Sequence, residues 1–104
     1  MASINDSRPS REQALAMVND RLEILNAIMA GLDRRTELMA VVEAAPDHDT
    51  ARRDVMKLLH VSELGANAVL AMQIRRFTVR EREKIRRELN EVEAERRKFQ
   101  RWLP

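Results

Sequence analysis

The chain carries two apolar stripes of the same period, one near each end. Leu15, Val18, Leu22, Leu25, Met29 and Leu32 recur at spacings of 3, 4, 3, 4 and 3. Ile85, Leu89, Val92, Phe99 and Leu103 recur at 4, 3, 7 and 4, with Arg96 standing in the vacant place. Such alternation keeps one side of an α-helix apolar and is the seam of helices wound together. Each seam runs 17 or 18 residues, roughly 26 Å at 1.5 Å per residue. Two seams of equal length at opposite ends of a short chain predict a hairpin, because consecutive elements settle beside one another. The expected fold is all-α. A long antiparallel two-stranded coiled coil (helices about 10–45 and 79–103) is capped by a small helical knob, about 38–77.

Local signals agree. Ser10 with Gln13 three residues on forms a capping box for the first helix. Gly31 is placed where a kink would fall, and Pro46 ends the helix. Asp47 or Asp49 caps a helix carrying Val55, Met56, Leu58 and Leu59, and Ser62 caps the next, with Glu63 in its first turn. Thr78 starts the returning helix. Residues 1–9 are small and polar and are read as a disordered arm, leaving 10–104 as one helical domain. Two Gly, three Pro and 35% charged residues suit a helical chain. Strand-like alternation, Gly-rich loops and internal repeats are absent.

The segment 63–77 sets a different constraint. A surface helix needs one apolar stripe, yet this one offers two. Leu64, Ala68, Ala71 and Met72 lie on one side; Ala66, Val69, Leu70, Ile74 and Phe77 cover most of the other. One stripe can pack on Val41, Val42, Met56 and Leu59. The second either is buried by the same domain or meets its copy in another subunit, an isologous two-fold contact. The second option is preferred, because an exposed apolar patch is a liability on a monomer. The expected dimer interface is Leu64, Gly65, Ala68, Ala71, Met72 and Arg75, with small residues letting the two backbones approach.

Much chemistry is excluded. With no Cys among 104 residues, disulfides and thiolate metal sites cannot form. His48 and His60 have no third ligand nearby, so no metal or cofactor is expected. Asp47, His48 and Asp49 precede a helix and read as capping residues. Ser62 has no base placed near it. No catalytic set and no small-molecule substrate are therefore expected. No apolar run is long enough to span a membrane, and "MASINDSRPS" has no apolar core for a signal peptide, so a cytoplasmic protein is expected. Residues 75–101 hold eleven Lys and Arg against six Glu, a local +5. Arg86, Arg87, Arg97 and Lys98 are the candidates for contact with DNA or an acidic partner.

Several of these pieces form a recognisable order. "VSEL", "AVLAMQIRRFT" and "EREKI" within residues 51–92, preceded by "RLEILNAIMAGLD" at 21–33, resemble the A subunit of bacterial DNA gyrase and topoisomerase IV. The similar region there is the exit gate at the tip of the long coiled coil, and the resemblance covers residues 15–98. It departs at Ala71, where an acidic residue is common, at Gln73, where Arg is common, and at Val79-Arg80, which replace Gly-Leu. A charge network across the gate is therefore not expected to carry over. In that family a winged-helix tyrosine attacks DNA; this sequence contains no Tyr. The resemblance implies the part that holds two subunits together, without catalysis. The partner expected first is a second copy. A mixed dimer with a full-length topoisomerase A subunit is the second expectation, and DNA binding by the basic helix the third.

Overall fold

The computed structural model describes residues 9–101. Among them are five α-helices, a short 3-10 helix and no strand. The helices are α1 (Arg11–Asp33), α2 (Arg35–Ala44), α3 (His48–Leu59), α4 (Glu63–Leu70) and α5 (Val79–Arg101), with the 3-10 helix Ile74–Phe77 before α5. The fold is all-α, as its periodicity predicts. Leu103 and the arm before Pro9 lie outside the described residues.

Helices α1 and α5 form a stalk. Val18, Leu22, Leu25, Met29 and Leu32 of one seam and Ile85 and Val92 of the other share a buried cluster, with Leu89 and Phe99 packed against it; Leu15 is half-buried. The pairing is antiparallel, because partner numbers fall as α5 advances. Arg82 donates to Asp33 Oδ1 at 2.8 Å, Arg86 lies 3.9 Å from Met29 Sδ, and Glu88 pairs with Arg21. These ion pairs are partly exposed and contribute up to about 1 kcal/mol each; apolar burial along the seams dominates. A compact domain of this size has a radius of gyration near about 13 Å. The observed 16.8 Å, with extents of 58 × 28 × 26 Å, reflects the stalk.

The seam widens toward the knob. Ala27 and Ile28 are buried beside Leu25 and Met29, since α4 lies across this part of α1. A second cluster of Ala27, Leu38, Val55, Leu59, Ala66 and Val69 forms the knob, with Val41, Val42, Met56 and Leu58 packed on it.

The caps form where local chemistry places them. Ser10 Oγ accepts from the Gln13 amide while Gln13 Oε1 accepts from the Ser10 amide. Ser62 Oγ accepts from the Gly65 amide, and Thr78 Oγ1 from the Glu81 amide. Of the two carboxylates offered for α3, Asp47 is the cap. The Thr50 backbone amide holds its carboxyl below the usual carboxylate range. Helix α3 ends on His60 at φ 55, ψ 47, a left-handed conformation that favours glycine. His60→Gly is expected to raise stability by about 1 kcal/mol, the relieved strain exceeding the added freedom of the unfolded chain. Thermal unfolding measures it; a loss of stability would show that the imidazole makes a needed contact.

Two expected helices are corrected. Residues 10–45 are not one helix. α1 passes through Gly31 without interruption and breaks at Arg34, at φ −115, ψ 36. Arg34 Nη1 donates to the Leu58 carbonyl at 2.6 Å, so the break turns α2 away from the stalk line and ties it to the end of α3. Residues 63–77 are not one helix either. α4 stops at Leu70, and Gln73 is extended at φ −75, ψ 145. A straight helix would hold its two stripes a fixed angle apart. The break allows Met72 to join Ala68 against the stalk cluster, Val69 and Leu70 to serve the knob, and Phe77 to pack on both.

Candidate dimer interface

The break divides the two stripes unequally. Ala66 and Val69 are buried and Leu70 and Phe77 half-buried, whereas Leu64 and Ala71 stay exposed and Ala68 and Met72 half-buried. Gly65 and Ala66, expected to admit a partner backbone, are buried. A Cβ on Gly65 would stand 2.7 Å from Ala27 Cβ and 3.3 Å from Val61 Cβ. The small residue serves the approach of α4 to α1. Ala68, Ala71, Met72 and Arg75 gather round one small hollow with Ile28. Ala71 and Arg75 are exposed, Ala68 and Met72 half-buried. Leu64 is 40% exposed, at the other end of α4.

Other large apolar side chains are also exposed, Val79 at 70% and Met17 at 64%, and a further two meet on the knob. Ile74 is 73% exposed and Met39 40% exposed. Both line a shallow cleft of about 510 Å³ with Arg35, Thr36, Ala40, Glu43 and Phe77. A neighbouring cleft is lined by Leu38, Met39, Val42, Val69, Leu70, Met72, Ile74 and Phe77. A crest of Met39 and Ile74 therefore stands over a floor of buried and half-buried apolar side chains.

Periodicity does not single out Met39, because "LMAVV" is apolar throughout. Ile74 stands in the stripe expected to face the interior. What exposes Ile74 is the tight turn that carries it. Gln73 Oε1 accepts from Arg75 Nε at 2.6 Å, and Arg75 and Arg76 reach Glu81 at 3.7 and 3.9 Å. The cleft's other wall, α2, is fixed by Arg34, which bridges Leu58 and Glu37. That hydrogen bond holds the Glu37 carboxyl below its ordinary range and raises the Arg34 guanidinium above its own.

Among the described residues no cluster of three His, Cys, Asp or Glu could hold a metal ion, and no helix is long and apolar enough to cross a membrane. Arg86, Arg87, Arg97 and Lys98 are all exposed on α5, but they do not form one face. Residues eleven apart on a helix nearly coincide in direction. Arg86 and Arg97 thus share one line, and Arg87 and Lys98 another about 100° away. Arg87 also shares its hollow with Lys84, Glu88, Glu91 and Glu95, so the sign there is mixed.

The described residues thus form an all-α helical domain with a stalk and a knob. Comparison with known proteins supplies the family. Residues 6–104 match the family described as the A subunit of DNA gyrase/topoisomerase IV. The chain is 37% identical over 81 residues to the DNA gyrase A subunit of Mycobacterium tuberculosis, covering 78% of the chain and 10% of that relative. It is 38% identical over 80 residues to the Streptomyces coelicolor gyrase A subunit, covering 77% and 9%. With the gyrase A subunit of a Nocardioides species it shares 34% over 87 residues, covering 84% and 9%. The chain belongs to the DNA gyrase/topoisomerase IV A-subunit family, and spans about a tenth of the length of these relatives.

Proposed function

We propose that this chain is a homodimerisation module of the exit-gate type, with α1 and α5 as a coiled-coil stalk and the crest at Met39 and Ile74 as the contact between two copies. The exposure of Ile74, 73% beside a 40% exposed Met39, carries the proposal. Membership of the A-subunit family supports it. The role is non-catalytic: the sequence holds no Tyr to serve as the family's nucleophile, and the knob offers apolar surface in place of a reactive set. Within the interface expected from the sequence, Met72 shares a cleft with Met39 and Ile74, while Ala68, Ala71 and Arg75 line the separate hollow beside Ile28.

The test is Ile74→Glu. A central apolar anchor in a dimer contributes about 2 kcal/mol or more, roughly thirtyfold in the dissociation constant. The same change on an open monomer surface should alter stability by about 0.5 kcal/mol or less. Sedimentation should therefore show dissociation while thermal unfolding of the monomer holds. Unchanged association would remove Ile74 from the interface. Met72→Glu is the poorer probe, since Met72 packs against the stalk cluster and a buried charge there would also weaken the fold.

A further inference from the structure

We infer that the two-fold axis of the dimer passes beside Met39, with α2 of one copy lying antiparallel against α2 of the other; this rests on the dimer proposed above. Arg35, Met39 and Glu43 are four residues apart along α2, so they form one row on a single face. All three line the same cleft. The row reads basic, apolar, acidic, with the apolar residue at its midpoint.

An isologous contact needs a surface complementary to itself, in which residue i meets residue j and j meets i. Rotating the row by a half-turn about Met39 places Arg35 opposite the second copy's Glu43, and Glu43 opposite its Arg35. Met39 meets Met39. A parallel pairing would instead set Arg against Arg and Glu against Glu. The charge order selects the antiparallel arrangement.

Neither charge is spent inside the chain. Among the described residues, Arg35 and Glu43 enter no hydrogen bond or ion pair, whereas Arg34 and Glu37 pair with each other. Arg35 and Glu43 stand roughly 12 Å apart along the helix axis, too far to pair with one another. Thr36 and Ala40, on the same side of α2, are small enough for a second helix to approach. The exposed Ile74 of each copy flanks the helix pair, extending the contact beyond the ten residues of α2.

The experiment uses two full-length variants, Arg35→Glu and Glu43→Arg, separately and then mixed in equal amounts at low salt. Each variant alone sets two like-charge pairs across the axis and is expected to weaken self-association by about tenfold or more. In the mixture every cross-axis pair is again of opposite sign, so a mixed dimer of near wild-type affinity should form. Raising the salt should narrow these differences. Single variants that dimerise as the wild type does, or a mixture no tighter than its components, would overturn this placement of the axis while leaving the dimer standing. A wild-type chain that is monomeric under the same conditions would instead remove the dimer, and the axis with it.

Discussion

Leu32→Ala is expected to destabilise the chain by about 2–5 kcal/mol, with a value in the upper half of that range. Leu32 has no exposed surface and is among the largest fully buried side chains, with Ile85 and Val55. It sits where the stalk seam meets the widened part of α1, in one buried cluster with Ile28, Met29 and Ile85. A small domain has only about 5–15 kcal/mol in total. The loss therefore corresponds to a fall in midpoint of roughly 14–40 °C at about 4–8 °C per kcal/mol. Denaturant titration at matched protein concentration measures it, since association would otherwise add to the apparent stability. A loss below about 1 kcal/mol would mean that the two seams do not close on Leu32 as described.

The second large effect is at Gly65. Replacing a glycine inside a helix by Ala normally gains up to about 1 kcal/mol, and less at Gly65, which lies in the first turn of α4. Here the added Cβ would lie 2.7 Å from Ala27 Cβ, a methyl fixed to the α1 backbone that cannot rotate away. Overpacking costs about 1–3 kcal/mol and occasionally more, so Gly65→Ala should be destabilising despite the propensity gain. Gly65→Val, with two further methyl groups, should lose roughly 3 kcal/mol. The exchange Ala27→Gly with Gly65→Ala moves one methyl from one helix to the other. Removing the overlap should make the pair less destabilising than the sum of the two single changes in a double-mutant cycle, although Ala27→Gly in mid-α1 itself costs about 1 kcal/mol. Additive losses would mean that α4 does not rest on Ala27.

These two sites also show what the amino-acid order could and could not reveal. The stalk was legible because its seams repeat over five turns, and Ser10, Ser62 and Thr78 were legible because capping is local chemistry. The break at Arg34 was not, as neither Gly nor Pro marks it. It arises because Arg34 finds the Leu58 carbonyl, a group 24 residues away. The break after Leu70 was hidden for a similar reason. Its residues are good helix formers, and what interrupts them is the competition of two separate cores for Met72 and Val69. Gly65 was legible as a point of close approach, which it is; sequence alone does not say that the approaching backbone belongs to α1.

An apolar helix with two stripes implied a missing partner; α1 and α3 cover Gly65, Ala66 and Val69, and leave Leu64 and Ala71 exposed. Met39 and Ile74, which stay exposed together with Leu64, come from segments whose apolar residues outnumber the positions that can face inward. Only the turns at Arg34 and Gln73 decide which of them are left outside. Arg35 and Glu43 are ordinary surface charges in the sequence, and acquire meaning only once Met39 is known to lie exposed between them.

Equilibrium sedimentation of the unaltered chain across the micromolar range decides whether two copies associate. A reversible association is expected that reaches a mass of twice 12.1 kDa and goes no further, as a closed two-fold contact requires. A single 12.1 kDa species at every concentration would contradict it.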